Sequence, residues 1–141
     1  MCSSDLSEYN TAVYSANQAV LWEGYEATKS EYPLLKYVTA GDERVREAHK
    51  ILEAIVRPVD DQFWNTYYPP NGWNCRCSVE QLSDGVETDL SDKNLDGNNI
   101  PDVWRFNSGK SKLIFSDSHP YYKVDPRDQG LMANNFNLPL P

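Results

Sequence analysis

The sequence has only three cysteines, Cys2, Cys75 and Cys77, an odd and unbalanced set that does not make a secreted disulfide framework. A reducing compartment is expected. It also lacks long apolar runs: the longest spans a few residues against the ~20 that cross a bilayer, and the first residues have neither the basic start nor the apolar stretch of an export signal. No membrane segment is expected. Basic residues are scarce, 13 Lys and Arg against 21 Asp and Glu for a net charge of −8, and no basic stripe supplies the footprint that draws nucleic acid. Charge thus gives no support to DNA contact. A Gly-rich phosphate loop and a Gly-x-Ser-x-Gly elbow are absent, and His49 and His119 are the only histidines. No catalytic set emerges, so a non-enzyme is expected.

What is present is aromatic: nine Tyr, four Trp and four Phe, anchors for a real core in a chain of 141 residues. Leu6, Tyr9, Val13, Ala16 and Val20 are spaced 3, 4, 3 and 4, which predicts an amphipathic helix over residues 7–29 with that row facing inward. Residues 34–39 alternate as a short strand after Pro33. Gly41 and Asp42 then read as turn and N-cap of a second helix, residues 43–56, with an apolar face of Val45, Ala48, Leu52, Ile55 and Val56 and with His49 at its edge. Residues 59–73 suit an ordered irregular loop, 75–82 a strand, and 83–103 a polar excursion that carries the densest acid. Segments 103–106 and 112–115 flank Asn107, Ser108 and Gly109 as in a hairpin, and residues 125–141 form a tail without periodicity. The fold class is α+β: two main helices packed on a small, mostly antiparallel sheet with long ordered loops. Trp73 and Leu52 are expected to be buried against each other's elements.

One order of motifs carries more than periodicity. Asp42, Arg44, Arg46 and His49 are followed by Pro58-Val59-Asp60-Asp61, Phe63-Trp64 and then Tyr68-Pro69-Pro70-Asn71-Gly72-Trp73-Asn74-Cys75-Arg76-Cys77, with Phe106-Asn107-Ser108-Gly109-Lys110 and His119-Pro120-Tyr121-Tyr122 further on. This order resembles the phage Mu F-like minor head proteins, with their Arg-x-x-His helix ahead of a Pro-Pro-x-x-Trp-x-Cys-Arg-Cys segment. The resemblance spans residues 6–124, with 83–103 as an insertion and Leu52-Glu53-Ala54 departing from the family's Leu-Asp-Gly. It implies a phage or prophage minor capsid protein acting in head assembly and in genome packaging or delivery. Its partners would be portal and capsid proteins, and its place the virion head, or the host cytoplasm during assembly. The chain then reads as a fragment of a longer protein, with Met1 to Asp5 outside the family pattern. The alternative is a toxin-type nuclease or transferase domain of the kind joined to such head proteins, which should bring its own acid–base set.

Three constellations have chemistry to offer. His49, Cys75, Cys77 and His119 are residues of zinc-ligand type, set against the reading that both cysteines are small core residues and His49 is held by a loop carbonyl. Asn94, Asp96, Asn98 and Asp102 place oxygens at the spacing of a short calcium loop, with Arg105 where such a loop wants a bidentate Glu, set against a plain solvated acidic loop. Arg44, Arg46 and Arg76 beside Asp42, Asp60 and Asp61 suit phosphate or, more simply, an Arg–Asp network that ties the aromatic loop to the second helix.

Overall fold

The computed structural model describes residues 3–120, so the tail at 125–141, Cys2 and Tyr121-Tyr122 lie outside the described residues. The fold is α+β. A long helix α1 (Ser3–Thr28) is followed by β1 (Leu34–Val38), α2 (Glu47–Lys50), β2 (Val56–Pro58), α3 (Phe63–Tyr67), β3 (Ser78–Leu82), a 3-10 turn (Asp102–Trp104) and α4 (Ser108–Ser111). The three strands make an antiparallel sheet in the order β2-β1-β3, with Leu35 opposite Arg57 on one side and Gln81 on the other. Pro58 ends the edge strand β2, where its missing N–H costs no ladder bond to a further strand.

The first helix forms as its periodicity predicts but turns the other way. Leu6, Tyr9, Val13 and Val20 are exposed, and the buried row is Thr11, Ser15, Gln18 and Trp22. The surface beneath α1 explains this, because it consists largely of irregular backbone whose polar groups need partners. Thr11 Oγ1 accepts from the Asn74 amide at 3.0 Å, and the Ser15 hydroxyl donates to the Ile114 carbonyl at 2.6 Å. The Ser108 hydroxyl reaches the Ser15 carbonyl at 3.1 Å, and the hydroxyls of Tyr68, Tyr14 and Tyr25 donate to the carbonyls of Gln18, Cys77 and Val79. An apolar stripe in that place would leave these groups buried and unpaired, at ~1–3 kcal/mol each.

The second helix is a single α-helical turn where residues 43–56 were expected. Its start is delayed because Asp42 Oδ1 accepts from the Arg44 amide and Arg46 is extended at φ −64, ψ 144. At the other end Ala54 takes φ 61, and the backbone pairs back onto β1 through Tyr37 N–H to the Ile55 carbonyl (2.8 Å) and Ala54 N–H to the Tyr37 carbonyl (2.9 Å). Sheet pairing therefore overrides helix propensity here. The expected inward face survives, since Val45, Leu52 and Ile55 are all buried.

The expected hairpin over 103–115 is absent: Asn107 Oδ1 accepts from the amides of Gly109 and Lys110, and this N-cap starts α4 in place of a turn. The strand foreseen from Cys75 begins at Ser78, leaving Cys75-Arg76-Cys77 as irregular backbone ahead of it. The acidic excursion is anchored to the core. Leu95 and Ile100 are buried, Tyr67 donates its hydroxyl to the Leu95 carbonyl, and the Thr88 hydroxyl and amide pair with Val56 at the free edge of β2.

Leu35, Tyr37, Leu52, Ile55, Val59, Trp64 and Tyr68 form the centre of the core, joined by Trp22, Phe63, Trp104 and Phe115. Leu52 is fully buried, whereas Trp73 is half-buried and leans on Trp104, Phe115 and His119 with ring centroids 5.0, 5.7 and 5.5 Å away.

Candidate functional site: a buried His–Cys–Cys cluster

The turn α2 and the end of the Pro-rich loop meet beside β1. Arg46 Nη2 donates to the Trp73 carbonyl at 2.6 Å and so ties the first residue of the Arg-x-x-His element to the loop. Three residues later His49 is 3 % exposed, and its Nε2 lies 3.2 Å from the Asn71 carbonyl. A carbonyl only accepts, so Nε2 carries a proton, and Nδ1 is the nitrogen left to face the sulfurs. Nδ1 lies 3.7 Å from Cys75 Sγ and 3.5 Å from Cys77 Sγ, both buried free thiols. One donor atom from each of the three falls within 4.8 Å of the others.

Behind the cluster Asn71 holds the loop. Its Oδ1 accepts from the Tyr37 hydroxyl at 2.8 Å, while Nδ2 donates to the carbonyls of Trp104 (3.2 Å) and Tyr68 (3.4 Å). Burial raises the Tyr37 hydroxyl well above its ordinary range, so it stays protonated and donates. The two thiols split: contact with Cys77 and then with His49 lowers Cys75, whereas Cys75 and burial raise Cys77. Two adjacent thiolates repel, so without a cation one proton remains on the pair.

Clefts reach the cluster from more than one side. A space of about 20 Å³ is lined by His49, Cys75 and Cys77 together with Arg44, Arg46 and Arg76. A larger one of about 270 Å³ lies beyond His49, between Asn71, Trp73 and Trp104 and the excursion residues Asn99 and Pro101.

The fourth zinc candidate, His119, is held elsewhere. Its ring stacks on Phe115 at 4.9 Å and meets Trp104 edge-on at 5.8 Å, and burial lowers its pKa. His49, Cys75 and Cys77 meet without it. Two of the calcium candidates are engaged within the protein: Asn94 Oδ1 accepts from the Gly97 amide, and Asn98 Oδ1 from Arg105 Nη2 at 3.0 Å. Arg105 also binds the Asn98 and Ile100 carbonyls and lies 3.8 Å from Asp102, with Asp96 exposed nearby, so a guanidinium helps organise the loop whose oxygens have calcium-type spacing. Sequence reading did not assign Arg105 that role, although its place at the missing Glu position was the signal.

The Arg–Asp network is real but smaller than foreseen. Asp42 and Arg76 form a two-pronged pair at 2.7 and 2.8 Å, whereas Asp61 binds Arg57 and Asp60 binds Lys29. Arg76 holds the Asp42 carboxyl at about 2, below its ordinary 3.8. A group with a lowered folded pKa stabilises the fold above its unfolded pKa and loses that contribution as pH falls through the folded one, here between about 4 and about 2. Carboxyl-carbon NMR titration is expected to place Asp42 near 2 in the parent and back in the ordinary carboxylate range in Arg76→Met. An unmoved midpoint would refute the pairing.

A family model described as "Phage Mu protein F like protein" matches residues 4–80, more than half of the chain. The chain belongs to this family. Protein F of Escherichia phage Mu, which carries a capsid-assembly name, is 44% identical over 75 residues, covering 53% of this chain and 17% of that protein. The Mu-like prophage FluMu F protein of Haemophilus influenzae is 40% identical over 74 residues, covering 52% of this chain and 17% of that protein. The aligned stretch thus spans about a sixth of the length of either relative. No solved structure matches. The Mu F-like match takes in α1 from its second residue, β1, β2, the first part of β3, His49 and the Cys-Arg-Cys segment, and it ends at residue 80, before the excursion and before the motifs near 106 and 119.

Proposed function

We propose that the chain is the Mu F-like segment of a phage or prophage head protein, acting in capsid assembly at the portal, and through it in packaging or delivery of the genome. It would reside in the virion head, or in the host cytoplasm while heads are built. The observation that carries this reading is the outward row of α1, where Leu6, Tyr9, Val13 and Val20 are 50, 67, 42 and 69 % exposed along one face. An uncovered apolar row on the long helix that opens the matched stretch suits a surface made to be covered in an assembly. Its occupant is taken to be a capsid protein, in keeping with the name that the Mu relative carries.

The test is genetic and biochemical. Because the positions are exposed, Tyr9→Glu with Val13→Glu should leave the circular dichroism and melting of the purified chain as in the parent. In the phage or prophage that encodes the chain, the double variant should cut the yield of DNA-filled heads to that of a strain with the gene disrupted. Normal heads after disruption would sink the head reading, and normal heads from the double variant alone would sink the α1 contact.

A further inference from the structure

From the His49, Cys75 and Cys77 geometry we infer a metal site for a zinc-like cation of borderline softness, with a water molecule as its fourth ligand. It goes beyond the head-protein reading and stands on the arrangement of donors. Bonds of ~2.3 Å to sulfur and ~2.1 Å to nitrogen at a tetrahedral angle separate the two donors by ~3.6 Å. The observed separations from His49 Nδ1 are 3.7 Å to Cys75 Sγ and 3.5 Å to Cys77 Sγ. Hydrogen bonding accounts for only half of this, because Nδ1 has one in-plane site and forms one good hydrogen bond, and here two sulfurs approach it at nearly the same distance.

The histidine is prepared for the role. Metal-bound imidazole almost always donates its other N–H to a carbonyl or carboxylate, which fixes the ring and the tautomer, and Nε2 does so to the Asn71 carbonyl at 3.2 Å. Asn71 is itself 1 % exposed and held by Tyr37, Tyr68 and Trp104, so the orienting carbonyl is rigid. The irregular backbone at residues 75–77 matters too, since alternate residues of a regular strand project about 7 Å apart and would not converge. The strand begins only at Ser78, so Cys75 and Cys77 are free of that spacing.

The space of about 20 Å³ beside the three donors exceeds the ~10–15 Å³ that one water requires, which suits a solvent molecule as fourth ligand. The set of two sulfurs and one imidazole selects zinc or another borderline ion over calcium or magnesium, which want oxygen. Binding converts both thiols to thiolates: two S–H bonds break, two metal–sulfur bonds form, and two protons pass to solvent with no change of oxidation state.

The test uses the full chain purified under thiol reductant. Elemental analysis should find one zinc per chain, or one taken up on reconstitution, and cobalt substitution should give a thiolate charge-transfer band in the near ultraviolet. Cys77→Ser, nearly isosteric and checked for folding by circular dichroism, should weaken zinc by more than ~100-fold, because even the groups that orient ligands are worth about 10- to 100-fold. Should that variant unfold, the cobalt spectrum of the parent decides the matter. Folded, reduced protein that takes up neither zinc nor cobalt overturns the site, and so does zinc that persists unchanged in both Cys77→Ser and His49→Ala.

Discussion

Replacing Gly109 by alanine is expected to destabilise the protein by about 3 kcal/mol, the upper end of the usual cost of overpacking, and to lower its melting temperature by roughly 10 °C. A Cβ built at Gly109 meets Trp22 Cβ at 2.2 Å, Cγ at 2.4 Å and Cδ1 at 2.6 Å. These atoms form the root of a side chain that is 2 % exposed and set edge-on against Tyr68 at 4.9 Å, so none can yield without shifting α1 against α4. Gly24 supplies the opposite control. It lies within α1 with nothing within 4 Å of its would-be Cβ, so Gly24→Ala should stabilise by about 0.5–1 kcal/mol through helix propensity alone. Urea unfolding of both variants measures the contrast. A Gly109→Ala protein as stable as the parent would refute the contact between the two helices.

The second large effect is expected at Trp64, where truncation to alanine should cost about 3–5 kcal/mol, a large part of the ~5–15 kcal/mol that holds a typical domain. Trp64 is fully buried, meets Phe63 edge-on at 4.8 Å and donates its indole N–H toward the Arg57 carbonyl at 3.4 Å. Trp73→Ala should cost less, about 2 kcal/mol, because the ring is half-buried and the carbonyl that binds Arg46 remains. From sequence Trp73 was the expected anchor of the loop. Equilibrium unfolding decides the ranking, and a Trp73 variant less stable than the Trp64 variant would overturn this view of the core.

Both predictions depend on facts that periodicity does not contain. A helical row is visible whenever apolar residues recur every three or four positions, and α1 duly forms within a few residues of the expected bounds. Which side of it turns inward depends on what it covers. The spacing of Leu6, Tyr9, Val13 and Val20 assumes an apolar surface beneath, whereas the actual surface presents the carbonyls of Cys77, Val79 and Ile114 and the amide of Asn74. Hydroxyls of Thr11, Tyr14, Ser15 and Tyr25 match those groups, and the apolar row is left facing outward.

Sequence by itself determined the α+β class, the first helix and central strand, the inward face of Val45, Leu52 and Ile55, and the family, because short-range spacing and an ordered run of motifs express these directly. It also marked His49, Cys75 and Cys77 as residues of one chemical kind. Only the tertiary structure decided that these three meet while His119 joins the aromatic rings of Phe115, Trp73 and Trp104. It also decided that Arg105 ties the Asn98 and Ile100 carbonyls together, and that Asn107 caps a helical turn where a hairpin was expected. In each case the outcome turned on which backbone carbonyls and amides lacked partners once the chain had closed, and such long-range pairing leaves no periodic trace along the sequence.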